Sequence, residues 1–593
     1  MAENKDKRFD IAVLISKMAK NKWLAVMQAV LIALCIWALW YSDAYFVPYL
    51  LVTVAALFCL FFNLKDSHCY TKYEIVITFV FSLLYALMIT MANYGLWNIG
   101  EFHGAAQFIL ILFGSYIAFA NILLFITGKN SYGNSGASTY FDSRKLFWFA
   151  FILIFVLNCT ILFSCKYPGF LTIDSVIQIK QTIDGGYTNS HPFYHTMIIK
   201  LFMTIGLALW GDINAAVAVF MVFQICFMAF SFSFAVRTIR EVGAPNWSVI
   251  MLIAFFALMP YHIVYSFTMW KDVMFGGAVL LYTMFLYRIL KSVGNDVINA
   301  VGLIVSGLGF CLLRNNGLIS FVGAVLLFLI VFRLQHKKLS FIMIAIIITS
   351  FVLKHPVLKA LDVAQPDLME SLSIPIQQVA LDVIENDDFT EEESDLLGQV
   401  VDVKRIPEVY LPYISDPMKD LIRDSHNQQT ISEHKSDYLG LYLSRIGKHP
   451  WTYVKAWIEQ TKGYWNSGYS YWVWCLYADG ADIGIYSTVH SGVMNKMVNS
   501  YLSHFLKFQV CRPFISIGLF VWCVLLFLYI AIIRKDKVLA SITIPSLVVV
   551  GSLLVATPVF SDFAYAYFLF CTMPVIGIMA YIGNLNQNEK TNG

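Results

Sequence analysis

A chain of 593 residues with 59% hydrophobic, 16% aromatic and only 13% charged residues is not a soluble domain, which carries about 25% charged residues. Runs such as 23–41 and 146–164 reach the about 20 apolar residues that cross a hydrocarbon core. The net charge of +3 is small and the large polar segment is acidic, so nothing supports nucleic acid as a partner.

The N-terminal segment 1–22 is basic, with Lys5, Lys7, Arg8, Lys17, Lys20 and Lys22. No short apolar region with a small-residue cleavage site follows, which predicts a retained first helix and a cytoplasmic N-terminus. Hydropathy predicts about fourteen spans: 23–41, 46–63, 75–93, 105–127, 146–164, 213–237, 246–266, 273–291, 298–313, 317–333, 339–355, 513–533, 538–556 and 563–583. Threading them places Lys65, Lys129, Arg237, Arg288, Arg333 and Arg534 with their basic neighbours on one side. That positive-inside pattern predicts both termini in the cytoplasm and a plasma membrane of bacterial type. The first four spans, 23–127, have short loops and precede the Gly- and Ser-rich stretch 128–138, as expected of an accessory module.

Two segments then fall outside. The first is the loop 166–212. The second, 356–510, is predicted to be a mainly helical extracytoplasmic domain inserted late in the chain. Between Val357 and Gly440 it carries 18 Asp or Glu against 6 Lys or Arg, a composition suited to water. Trp451, Trp457, Trp465, Trp472 and Trp474 then suggest a part lying at the headgroup level, with a carbohydrate-stacking platform as the alternative. The eleven cysteines are scattered and contain no CxxC pair, so neither a zinc site nor a disulfide framework is implied. A pairing of Cys475 with Cys511 is left open.

The residues that can carry chemistry cluster where span 146–164 ends. Asp174, Ser175 and Gln178 follow Tyr167-Pro-Gly-Phe, and Ser190-His191-Pro192 leads through His195 into an interfacial helix, 193–210. Pro260-Tyr-His262 ends a later span, and Lys271-Asp272 opens the next. An acid just past the first core span, a His-Pro step before a surface helix and an Asp opening a later loop resemble the GT-C superfamily of membrane glycosyltransferases. More narrowly, the pattern is similar to the protein mannosyltransferase and aminoarabinose transferase type. The resemblance covers about 146–355. It departs from the usual pattern in carrying Asp174-Ser175 where many members have two adjacent acids.

That resemblance implies a GT-C-like helical core and a polyprenyl-linked sugar donor, with a lipid or glycan acceptor and membrane lipids as the other partners. Attack on an anomeric carbon needs a carboxylate to accept or hold the hydroxyl proton, and Asp174 is the candidate; otherwise it caps the helix 175–183. Asp272 is the second acid, able to hold a cation or the acceptor, or to pair with Lys271. A leaving polyprenyl phosphate calls for cations. Arg314 suits a bidentate grip on phosphate, with Lys271 second; the plain alternative for both is interfacial snorkelling. His191 and His195, a helical turn apart, and Gln178, on the face of Asp174, are further substrate-binding candidates. A divalent cation such as Mg or Mn is possible, but the spacing of His and carboxylate is not diagnostic. Asp562, at the mouth of the last span, reads first as an ordinary boundary residue.

A transporter or flippase is the competing class, and a polysaccharide polymerase or ligase a related one. Transporters display ionisable groups near mid-membrane and broken helices in matching halves. Here the notable charges lie at the ends of spans, with Lys200 on the surface helix, which favours chemistry at the membrane face. A receptor or assembly role for 356–510 leaves the ordered 166–272 pattern unexplained.

Overall fold

The computed structural model describes residues 22–39, 71–94, 102–127, 142–469, 471–474, 476 and 480–592. These residues are mostly helical, and β pairing among them is limited to isolated bridges. Among them, ten helices are long and apolar enough to cross a membrane, or up to eleven if one bent pair counts as a span. Apolar side chains such as Phe149, Ile152, Val156, Ile250, Met251, Val301 and Val305 point outward from the protein. Helices satisfy their own backbone groups, so such surfaces suit hydrocarbon. The chain is an all-α, multi-pass membrane protein.

It divides into two compact units: 1–137 with 466–468 and 580–593, and 138–465 with 469–579. In the first, α1 (Lys22–Leu39) and α2 (Lys72–Tyr94) pack on α3 (Phe102–Thr127). Gly114 allows the close approach of α3 to α1, since a Cβ there would stand 2.2 Å from that of Cys35. Tyr85 Oη lies 2.8 Å from Ser467 Oγ. The expected span 46–63 and the Gly- and Ser-rich stretch 128–138 lie outside the described residues.

The second unit opens with α4 (Ser143–Cys165), α5 (Ile173–Asp184), α6 (Phe193–Trp210) and α7 (Ile213–Glu241). The helix α6, expected at the interface, also has the length and apolarity of a span. It packs on α7 so closely that a Cβ on Gly206 would stand 2.5 Å from Ala216 Cα. The expected single span 246–266 is instead α8 (Asn246–Leu258) and α9 (Pro260–Ser266), bent by 52°. Pro260 is the cause, because its ring excludes the preceding turn and it has no N–H to donate. Next come α10 (Lys271–Leu290), α11 (Asp296–Leu312), α12 (Gly317–Phe332) and α13 (Lys337–Val352). In α10, 89% of the apolar stretch is buried, more than in any other of the ten, so this helix is the centre of the unit. The π turn Leu353–Val357, which contains Pro356, continues α13.

The inserted region carries α14 (Ser373–Glu385), α15 (Lys435–Lys448) and α16 (Pro450–Thr461). Its small core includes Met369, Ala380, Val400, Ile406, Met418 and Leu421. Arg445 is fully buried, 2.7 Å from Asp382 and 2.8 Å from Asp388, with its guanidinium 3.7 Å from the Phe389 ring centroid. A buried guanidinium is tolerated because the Asp382 carboxylate is buried with it, while Asp388 pairs from a half-exposed position. The aromatic stretch is not uniformly a surface element. Tyr464 and Trp465 are buried, and Trp457 Nε1 donates to Leu554 O at 2.9 Å, while Trp451 and Trp472 are exposed. Buried indoles and phenols need polar partners, and here other segments of the unit supply them. Three helices close the chain: α17 (Ile517–Arg534), α18 (Lys537–Ala556) and α19 (Tyr567–Asn592). Cys475 lies outside the described residues, and Cys511 is a free thiol.

Candidate functional site

The site begins with two extended segments tied side by side. Phe170 N donates to Phe267 O at 2.8 Å, and Met269 N donates back to Phe170 O at 3.0 Å. Ser175 Oγ reaches Met269 O at 2.5 Å. From α7, Gln224 Nε2 donates to the carbonyls of Tyr265, Ser266 and Thr268 at 3.1, 3.2 and 2.7 Å, closing the turn before α10. The start of α5 is capped reciprocally by Thr172 and Ser175, and Gly185 ends it at φ 77°, a conformation glycine adopts at little cost. Asp174 therefore stands in the first turn with its carboxylate free of capping.

That carboxylate faces α10. Lys271 Nζ is 2.5 Å from Asp174 Oδ2, and His191 Nδ1 is 3.6 Å from the same oxygen. Burial alone would raise the Asp174 pKa, but the Lys271 ammonium, then His191, hold it down at about 2. Its side chain keeps 36% of its surface exposed, so a ligand can reach it. Burial, followed by the nearby Lys271 charge, pushes His191 below the usual histidine value. Its Nδ1 is buried without a hydrogen-bond partner among the described residues, 3.6 Å being too long for one. The histidine precedes α6 and is not on its face, contrary to the helical spacing read for His191 and His195.

His195 lies within α6 and is fully buried. Its Nδ1 meets Gln178 Oε1 at 3.2 Å, and Gln178 Nε2 donates to Thr196 Oγ1 at 2.8 Å. Both ends of the Gln178 amide are thus engaged by the protein, which makes it a brace between α5 and α6. The Nε2 of His195 has no hydrogen-bond partner among the described residues.

Lys271 and Asp272 do not pair with each other. Asp272 turns to Arg314, whose Nη1 lies 3.1 Å from Asp272 Oδ1. Arg314 Nη1 also donates to Tyr565 O at 2.7 Å, and the guanidinium lies 5.0 Å from the Tyr565 ring centroid. Asp272 is 1% exposed, yet neither of its oxygens receives a well-directed hydrogen bond. The turn holding Arg314 is fixed from behind: Lys354 Nζ donates to the carbonyls of Arg314 and Asn315, both at 2.9 Å. Asn315 Nδ2 donates to Asn189 O and Ser190 O at 3.0 and 3.1 Å, joining this turn to the His191 loop.

Lys354, Asn315 and Tyr565 are the residues that sequence reasoning missed. Lys354 was hidden inside the apolar run 339–355, although a lysine within such a run is itself a signal. Asp562 lies within electrostatic reach of the site. Its Oδ1 accepts from Ala564 N at 2.9 Å, capping a short 3-10 helix, Phe563–Ala566. Burial, then the negative Asp272 and Asp174, raises its carboxyl to about 7. Among the described residues no three His, Cys, Asp or Glu side chains come together as a metal-binding group.

Taken together, a depressed carboxylate, a buried acid–guanidinium pair and a histidine of lowered pKa meet at one end of the helices, with the Asp562 carboxyl within electrostatic reach. Such a set can bind an anionic group, orient a hydroxyl and move a proton. Residues 182–592 match the sequence profile of DUF6020, described as a family of unknown function. The match begins after Phe170, Thr172, Asp174, Ser175 and Gln178 and includes His191, His195, Lys271, Asp272, Arg314 and Asp562. No curated protein and no solved structure matches the chain.

Proposed function

We propose, for a chain that belongs to the DUF6020 family of unknown function, that it is a membrane glycosyltransferase. It takes a sugar from a polyprenyl-phosphate-linked donor and passes it to a cell-envelope lipid or glycan at the extracytoplasmic face. The core from 146 to 355 is read as GT-C-like and the protein as resident in the plasma membrane. The expected count of about fourteen spans keeps α6 at the interface and requires the bent pair α8–α9, the segment 46–63 and the shorter helices α1, α11 and α12 to cross as well.

One observation carries this reading: two acid–cation pairs, Asp174–Lys271 and Asp272–Arg314, converge at the entrance of α10. Glycosyl transfer from a lipid phosphate asks for both halves of that arrangement. Positive charge must meet the negative charge growing on the leaving phosphate, and Arg314 and Lys271 are suited to it. A carboxylate must hold the incoming hydroxyl, and Asp174, ionised and partly exposed, is suited to accept that hydrogen bond. Asp272 keeps Arg314 aimed.

The test is transfer of radiolabelled sugar from a panel of polyprenyl-linked donors by purified protein, wild type beside Asp174→Asn at matched folding. Transfer by the wild type that is markedly slowed in the variant supports the reading. The bend at Met259 and the buried pair His262 Nδ1–Tyr567 Oη, 2.8 Å apart, favour transport as the second reading, since broken helices mark transporter pathways. Movement of lipid or solute across liposomes, with no donor consumed, would replace the first by the second.

A further inference from the structure

Asp562 caps a short helix, and a cap needs only one side-chain oxygen. Its Oδ1 serves Ala564 N, and its Oδ2 has no hydrogen-bond partner among the described residues. The loop holding it is gripped from several sides. Tyr464 Oη is 2.7 Å from Thr557 Oγ1, and Ser415 N donates to Pro558 O at 2.9 Å. Trp472 N donates to Ser561 O at 2.8 Å, and Phe563 N donates to Trp472 O at 3.2 Å. The helix it caps is tied to the second acid–cation pair, because Arg314 bonds the carbonyl of Tyr565 while facing Asp272. The charged groups within electrostatic reach of Asp562 are Asp272, Asp174 and Lys271, and the tyrosines are Tyr265, Tyr464 and Tyr565. Lys271 is already 2.5 Å from Asp174 and Arg314 is 3.1 Å from Asp272, so among the described residues Asp562 has no cation of its own.

We infer that Asp562 is the group that takes the proton from the attacking hydroxyl, while Asp174 orients that hydroxyl. This rests on the glycosyltransferase reading of the same site. In the step, the acceptor oxygen bonds to the anomeric carbon as the bond from that carbon to the phosphate oxygen breaks. The electron pair leaves on the phosphate, and the hydroxyl proton passes to Asp562 Oδ2. A carboxylate clamped by an ammonium is a poor proton acceptor, whereas one that titrates near neutrality is matched to the task. The positions of the two carboxyls, about 2 for Asp174 and about 7 for Asp562, agree with this division.

The experiment compares wild type, Asp562→Asn, Asp562→Glu and Asp174→Asn in two measurements: sugar transfer against pH, and infrared titration of carboxyl groups without substrate. Asparagine keeps the cap and removes only the proton acceptor. Expected are a wild-type rate that rises with pH to a plateau near neutrality and an inflection retained by Asp562→Glu. Asp562→Asn should lose about 100-fold with a flat profile, and Asp174→Asn should slow transfer but keep the inflection. In the infrared, a protonated carboxyl that ionises near neutral pH should be present in the wild type and absent in Asp562→Asn. A wild type without that band, or an inflection that survives in Asp562→Asn, overturns the inference even if transfer occurs. If no donor is consumed, the glycosyltransferase reading fails and takes the hydroxyl step with it, whatever the infrared titration finds.

Discussion

Lys271 Nζ lies 2.5 Å from Asp174 Oδ2 across 97 residues of sequence, while its neighbour Asp272 serves a different cation. Two adjacent residues at the start of one helix thus anchor two separate ion pairs. The arrangement follows from helix geometry, since consecutive positions point about 100° apart and cannot share one partner. Lys271→Met therefore removes the charge that holds Asp174 ionised. Transfer by the purified protein should fall about 100-fold, with partial retention in Lys271→Arg; equal activity of all three proteins would count against a role for this pair.

Asp174 also links stability to pH. Its carboxyl is held near 2, below the ordinary value of 3.8. A depressed acid contributes stability above its unfolded pKa and loses it as the pH falls through the folded one. Asp174→Asn should melt lower than wild type at about pH 7, with the gap closing as the pH falls from about 4 toward about 2. Detergent-solubilised protein followed by tryptophan fluorescence reads this directly.

Asp562 gives the opposite sign. Its folded carboxyl stands at about 7 against an ordinary 3.8, so the folded state loses stability as the pH rises between those values and stays lower above them. Asp562→Asn should raise the melting temperature, and the gain should be larger at about pH 8 than at about pH 5. A gain independent of pH would show that the carboxyl does not titrate in that window.

The Asp272–Arg314 pair is buried on both sides, with side chains 2% and 8% exposed. Removing Arg314 leaves Asp272 without its cation, and Arg314→Ala should cost about 3–5 kcal/mol. Adding Asp272→Asn to Arg314→Ala should recover part of that loss, so the two costs should not add. A double-mutant cycle on thermal unfolding measures the coupling.

In the inserted region, the fully buried Arg445 meets the buried Asp382, the half-exposed Asp388 and the Phe389 ring. Arg445→Met strands the buried Asp382 carboxylate and should destabilise this region by about 3–5 kcal/mol. Limited proteolysis should then cut between 380 and 450 faster than in the wild type, while the membrane helices stay resistant. Unchanged cleavage would mean that the hydrophobic cluster around Met418 and Leu421 holds the region unaided.

Class was legible in the sequence because lipid and water each select composition over long runs. Helices such as α4, α7 and α10 follow from apolar length alone, and the acid excess between Val357 and Gly440 marks a polar insertion. Asp174, His191, Lys271, Asp272 and Arg314 were also legible, as polar residues at the ends of apolar runs. Their pairing was not. Lys271 next to Asp272 reads as a local pair, and only the ties of Phe170 to Phe267 and Met269 turn it toward Asp174. Gln178 reads as a ligand on the face of Asp174, yet its amide is consumed between His195 and Thr196. Lys354 reads as part of a span, and Asp562 as a boundary residue. Composition and periodicity are sums over neighbours in the chain, so the sequence by itself determined the solvent of each segment. The partner of each charge depends on backbone bonds between segments about a hundred or more residues apart, and those the tertiary structure alone decided.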